Sequence, residues 1–353
     1  MSYQKNIEEA GAPRIAIIGL GPVGLILAVH LQEAGCEVAL CDNDRIKINL
    51  IRKEGVRLEG VIQQQCFFKN IFTDIGEMKD FRADTFVVSL KTYQTAAVLP
   101  ALAELQTENA TFISAQNGID VEHILSEALG ESSTLRMIIN FAGNLLSPNV
   151  VKVTFFNPPN YLASVDDSRT EAAEIFAAHL HLVGIQTEVI NSFELLRRSW
   201  EKTILNASLS ALCGVGRLTM REAMQMPNTI EIIEQVIGEA VEVAAAEKIH
   251  FEDDFIRKCL RYLRKAGDHF PSLAVDLINH RPTEIDFFNG KIVEYGRKHY
   301  IRTSLNLAFT NMVRAMTQKS FSTSIAGDAS LLKLPLNGSK AKTKPGGRCF
   351  LGI

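Results

Sequence analysis

The sequence predicts an α/β protein: an N-terminal Rossmann-type parallel-sheet domain over residues 12–190, then an all-α domain over residues 191–325. Three observations carry this. The glycine pattern GLGPVG at 19–24 sits between a β-branched run and a helical one. Up to about residue 190, short apolar runs alternate with stretches of helical period, as expected of parallel strands covered on both faces by helices. Beyond residue 190 only helical patterns remain.

Taken in order, RIAII (14–18) is a short β-branched strand, LILAVHLQEAG (25–35) has helical periodicity, and EVALCD (37–42) is a second strand. Together they make a βαβ unit of the usual length. DTFVVSLK (84–91) and ATFISAQNG (110–118) read as buried parallel strands ending in polar residues, with helices over 100–108 and 120–130. Residues 136–166 have strand character with hairpin-like turns. TEAAEIFAAHLHLVG (170–184) is a helix and TEVI (187–190) a short strand. The later helices are expected over 193–215, 229–248, 253–267, 283–299 and 304–319. Residues 326–353, rich in Gly, Lys and Pro, read as a flexible tail. Cys349 is the fifth residue counted back from the end, not the fourth, which does not fit a prenylation signal.

At 353 residues the chain is long enough for two domains. Its net charge of −3 gives no basic excess for nucleic acid or an anionic membrane. Six scattered cysteines form no CxxC and no zinc-like cluster, so they read as reduced thiols in a cytoplasmic protein, and no metal is expected. The first apolar run lacks a basic leader and is broken by three glycines, which argues against a signal or membrane segment.

Gly19, Gly21 and Gly24 spell GxGxxG between a strand and a helix, which is the context that makes the pattern a dinucleotide fingerprint. Gly19 suits the tight turn, Gly21 the approach of a pyrophosphate, and Gly24 close helix–strand packing. Leu20, Pro22 and Val23 complete the loop. Asp42 ends the second strand, 18 residues after Gly24. An acid there accepts ribose hydroxyls of NAD(H) and repels a 2′-phosphate, whereas Arg45 nearby could pair with one.

Lys91 and Asn117 end successive strands, so both are expected at the crevice between cofactor and substrate. SWEKTILN (199–206) raises a question, because Lys202 leads into a helix that is otherwise small and apolar. Asn206 lies on the same face, at i+4. A lysine with a lowered pKa suits a general acid, while a snorkelling surface lysine is the bland alternative. In PSLAVDLINHRPTEIDFFNG (271–290), Pro282 and Thr283 are expected to start a helix, with Thr283 and Asp286 as a capping pair and Glu284 in the first turn. Ser272 is either a helix cap or a binding residue.

The ordered set GLGPVG, SLKTYQT, AQNG, SWEKTILN and PSLAVDLINHRPTEIDFFNG resembles the ketopantoate reductase family over roughly residues 14–320. The resemblance implies NADP(H)-dependent reduction of 2-dehydropantoate, a 2-oxo acid, with NAD(H) admitted by Asp42. It implies Lys202 as the catalytic lysine that protonates the carbonyl oxygen, and Glu284 as the carboxylate that orients it. Asn206 and Ser272 are implied as substrate-binding residues, with Lys91 and Asn117 in the cleft. The chain departs from the family pattern at Ser210, where a second amide is common, and at 137–149 (MIINFAGNLLSPN). It departs again at Asp42, Asn43 and Asp44, where an arginine is frequent. The alternatives are a different branched or opine-like substrate, and a non-catalytic dinucleotide sensor. A homodimer through the helical domain fits its large apolar faces.

Overall fold

The computed structural model describes residues 12–325; the expected tail at 326–353, with Cys349, lies outside the described residues. Strands β1 (Arg14–Ile18) and β2 (Glu37–Cys41) flank helix α1 (Pro22–Glu33). Helix α2 (Arg45–Glu54) and strands β3 (Val56–Gly60), β4 (Gln64–Cys66) and β5 (Asn70–Phe72) follow. The sequence reading leaves these last four elements unassigned. The strands are short and carry residues such as Arg57, Glu59 and Gln65, so pairing rather than pattern defines them.

Next come β6 (Thr85–Val88), α3 (Thr95–Leu105), β7 (Thr111–Ser114), α4 (His123–Leu129), β8 (Thr134–Ile138), β9 (Phe141–Ser147), β10 (Val150–Phe156), β11 (Asn160–Ser164), α5 (Thr170–Leu182) and β12 (Thr187–Val189). The main sheet runs β12-β11-β8-β7-β6-β1-β2-β5. Its six strands from β5 to β8 are parallel, in the doubly wound order 3-2-1-4-5-6, and β11 runs antiparallel to β8.

Helix α1 is buried on every side from Gly24 to Leu31. A helix that is apolar all round needs cover all round. The main sheet supplies one face, and a second sheet, β4-β3-β10-β9, packs over the other. The β9–β10 hairpin is therefore the outer wall of the first helix. On the other face of the main sheet Phe86 stacks on Phe112, with ring centroids 5.1 Å apart.

The helical part comprises α6 (Ser192–Gly216), α7 (Met220–Ala223), α8 (Pro227–Ala246), α9 (Phe255–Leu263), α10 (Ser272–Ile278), α11 (Asn289–Lys298) and α12 (Ser304–Ile325). Asn191 caps α6 through Glu194 N–H, and Arg217 ends it in a left-handed conformation. Trp200 is buried and packs on Tyr295 at 5.4 Å. Ile119, from the loop after β7, is buried in this helical core, so the two parts share apolar contacts. No helix among the described residues is long and apolar enough to cross a membrane.

Two local expectations are corrected. Residues 282–284 do not start a helix: a single 3-10 turn spans Ile285–Phe287 and α11 begins at Asn289. Thr283 and Asp286 form no cap; Asp286 pairs instead with Arg314. The reason is tertiary. Phe287 O accepts the Ile119 N–H at 3.2 Å, and a Cβ on Gly118 (φ +122°) would lie 2.8 Å from Phe287 Cβ, so the turn is pressed against the loop after β7. Ser272 is also not a cap: Pro271 holds the N-cap position of α10 and Ser272 is the first helical residue.

Candidate active site

In the main sheet the strand order reverses between β1 and β6, and the carboxyl ends of these strands flank the crevice where doubly wound sheets bind ligands. The three glycines meet separate demands there. Gly19 has φ +93°, and a Cβ on it would lie 2.8 Å from Leu90 N. A Cβ on Gly24 would meet Gly19 O at 2.2 Å and Ser89 Oγ at 2.5 Å. A Cβ on Gly21 would meet nothing within 4 Å. No contact within the protein asks for glycine at that position, but a group lying against the start of α1 would. Pro22 occupies the first turn of α1, where its missing N–H costs nothing, and Val23 packs against the core beneath. The loop therefore fits a dinucleotide pyrophosphate at the N-terminus of α1.

These glycines make a paired prediction. Gly24→Ala is expected to cost about 1–3 kcal/mol of stability through overpacking. Gly21→Ala is expected to leave the unfolding temperature almost unchanged and to weaken dinucleotide binding about tenfold or more, about 1.4 kcal/mol. Thermal unfolding and a fluorescence titration with NADH and NADPH separate the two effects. Equal loss of stability in both variants would remove the ligand argument from Gly21.

Asp42 does not stand open at the end of β2. Its Oδ2 accepts from Leu20 N–H at 2.8 Å and from Lys47 Nζ at 2.8 Å, and its Oδ1 accepts from Asp44 N–H at 2.9 Å. Asp44 in turn caps α2 through Ile46 and Lys47. Arg45 is exposed. Lys47 is the residue that sequence reasoning missed here; a basic residue one turn into the helix after the acid was the available signal.

On the neighbouring strand ends, Lys91 Nζ bonds Asp276 Oδ2 at 2.7 Å and lies 3.4 Å from Glu284 Oε2. Glu284 Oε1 accepts from the N–H and hydroxyl of Thr92, at 3.1 and 3.0 Å. Thr92 Oγ1 also lies 3.4 Å from Asn117 O. Asp276 holds Arg281 as well, at 2.9 Å. The carboxylates of α10 and of the turn before α11 are thus bound to the end of the parallel sheet. Burial lowers the Lys91 pKa, but Glu284 and Asp276 outweigh it and hold the ammonium above its ordinary value. Asp276 was not foreseen, although a single acid in the apolar run SLAVDLI marks it.

Lys202 reaches from α6 to the main-chain carbonyl of Ile139, just past β8. Burial pushes its pKa down to about 7; the Arg136 charge adds to that and Glu284 partly opposes it. No ion pair joins Glu284 to Lys202 among the described residues. The bonds of Glu284 go to Lys91 and Thr92 instead. The partner that the resemblance implied for Lys202 therefore acts on it only at longer range. Arg136 is itself buried in β8, bonded to Ser114 Oγ at 3.1 Å and Gly118 O at 3.3 Å, and 3.6 Å from Glu122. A lone arginine in the apolar strand TLRMI was its signal.

Asn206 and Asn117 are half-buried and Ser272 is exposed; among the described residues no protein hydrogen bond is found for their side chains. They are polar groups free to meet a ligand. Ser210 is buried in α6. Asn289, by contrast, is structural: it bonds Ala207 O at 3.1 Å and Asn306 at 3.0 Å, tying α6, α11 and α12 together.

The family profile for ketopantoate reductase PanE/ApbA matches residues 15–166, and that for its C-terminal part matches residues 194–317. The chain belongs to the ketopantoate reductase family. This is an oxidoreductase family acting on CH–OH groups. A 2-dehydropantoate 2-reductase of Archaeoglobus fulgidus is 26% identical over 303 residues, covering 86% of this chain and 97% of that protein. Among solved structures, a PanE/ApbA family ketopantoate reductase from Ralstonia eutropha superposes with a TM-score of 0.79 at 24% identity, covering 87% of this chain and 99% of that one. A D-mandelate dehydrogenase in ternary complex with NADH and anilino(oxo)acetate gives 0.78 at 23% identity, with the same coverage.

Proposed function

We propose that this chain reduces a 2-oxo acid to a 2-hydroxy acid with a reduced nicotinamide dinucleotide, 2-dehydropantoate being the first candidate substrate and Lys202 the general acid. One observation carries the proposal: a lysine with its pKa near 7 stands just past the carboxyl end of β8, in the same parallel sheet whose strand β1 leads into the dinucleotide fingerprint. A general acid works best with a pKa close to the operating pH. Gly19 to Gly24 would hold the pyrophosphate and Asp42 would meet the adenosine ribose. When bound, the reduced nicotinamide supplies the hydride to the carbonyl carbon. Lys202 gives its proton to the carbonyl oxygen as the alcohol forms and afterwards recovers one from solvent. Lys91 stays charged throughout, and its ammonium offers a counter-charge to an anionic substrate. Asn206, Asn117 and Ser272 supply hydrogen bonds that fix the acid's orientation, and Glu284 fixes Lys91.

A second reading keeps this chemistry and enlarges the substrate. It is favoured by Ser210, where a serine occupies less space than the amide common in the family. The test is nicotinamide absorbance with 2-dehydropantoate and with phenylglyoxylate, each with NADH and NADPH, beside Lys202→Ala. Lys202-dependent turnover of the first compound supports the first reading, and preference for the aryl acid supports the second. Dinucleotide binding without turnover of any 2-oxo acid would favour a non-catalytic sensor.

A further inference from the structure

Lys47 stands where it can decide which dinucleotide the crevice takes, provided that the crevice binds a dinucleotide as proposed for the glycine loop. A carboxylate offers about four lone-pair sites. Asp42 has three of them in use: Leu20 N–H and Lys47 Nζ on Oδ2, and Asp44 N–H on Oδ1. Only one acceptor site remains, on Oδ1, so a ribose with two free hydroxyls cannot chelate this acid as it would a bare one. The pair is also largely withdrawn from solvent, with the Lys47 and Asp42 side chains 14% and 11% exposed. Its charge is neutral overall, so it does not repel a 2′-phosphate. The ammonium has donors to spare, since one N–H meets Asp42 and no second partner is found for Nζ among the described residues. The remaining charges near the end of β2 are Asp44, engaged in capping α2, exposed Arg45, and the acids Asp74 and Glu77, whose charges reach the neighbouring Cys41.

We infer that Lys47, through its ion pair with Asp42, admits the 2′-phosphate of NADPH to this site. Without Lys47 the same carboxylate is an uncompensated acid with two acceptor sites free, one on each oxygen, for the ribose hydroxyls of NADH. Arg45 is the competing residue, because it lies on the same turn.

The experiment compares Kd values for NADPH, NADH and 2′,5′-ADP by calorimetry in the unsubstituted chain and in Lys47→Met, Lys47→Arg and Arg45→Ala. Methionine keeps the packed stem and removes the charge. Lys47→Met should weaken NADPH and 2′,5′-ADP about tenfold or more, the scale of one charge-assisted hydrogen bond. NADH should be unchanged or tighter, and Lys47→Arg should restore NADPH. An unchanged NADPH-to-NADH ratio in Lys47→Met overturns the inference, as does a ratio that moves only in Arg45→Ala. Binding of NADH without NADPH or 2′,5′-ADP in the unsubstituted chain overturns it too, while leaving the dinucleotide reading standing. Binding of none of the three would overturn the dinucleotide reading itself.

Discussion

Replacing Lys202 with methionine is expected to lower reductive turnover about 10²–10⁴-fold, the usual worth of a positioned proton donor. Dinucleotide affinity should hold, because Lys202 bonds Ile139 and not the glycine loop. The pH dependence gives the sharper test. Lys202 titrates at about 7 in the folded chain, so reductive turnover should fall about tenfold per pH unit above that value as the ammonium is lost. The variant should lack this limb. A turnover that stays flat from pH 6 to 9 in the unsubstituted protein would remove Lys202 from the proton transfer.

The same substitution should stabilise the fold at low pH. An unfolded lysine titrates at about 10.4, above the folded value of about 7. Between those values the unfolded chain binds the extra proton, so stability rises with pH across that window. Below about pH 7 both states are charged and the folded chain bears the full cost of a buried ammonium. Lys202→Met should therefore raise the unfolding temperature most near pH 6 and least near pH 10. Equal shifts at both pH values would mean that the ammonium is not desolvated in the folded protein.

Lys91→Met is expected to destabilise the protein by about 2 kcal/mol at pH 7. That lies between the 0–1 kcal/mol of an exposed pair and the 3–5 kcal/mol of a broken buried one. The intermediate value follows from exposure: Asp276 and Glu284 are 8% and 6% exposed, but Lys91 is 35% exposed and partly screened by water. Without the ammonium the two carboxylates share a single cation, Arg281 on Asp276, and Glu284 keeps only its bonds from Thr92. The Lys91 pKa is raised on folding, so its contribution is complete below the unfolded value and is lost as pH rises through the folded one. Urea titrations at pH 7 and 11 check both statements. A deficit that is the same at pH 7 and 11 would show that packing of the lysine stem, not charge, holds the carboxylates.

Much of the architecture was legible. The strand at 14–18, the glycine loop and the helix behind it follow from sequence because adjacent residues decide them: apolar period, turn glycines and a proline at the helix start. Lys91 and Asn117 were legible as neighbours because parallel strands place their carboxyl ends side by side. The elements at 45–72 were not. Strands of three to five residues with charged members carry too weak a pattern to be read alone. Nor was the break at Ile285–Phe287, where a contact with Gly118, distant in sequence, overrides a helical start signal.

The doubly wound sheet, the all-helical second part and the residue types that carry the proposed chemistry are written in local periodicity and in short spacings. The order of residues is enough to specify them. Which charge meets which is set by the folded arrangement alone. It gives Glu284 to Lys91 and Thr92, leaves Lys202 to the carbonyl of Ile139, and sets Lys47 on Asp42. The pairings of Glu284 and Lys202 join residues 63 to 193 positions apart. The physical reason is that a charge in a protein interior is governed by the nearest counter-charge in space, and separation along the chain does not encode that distance.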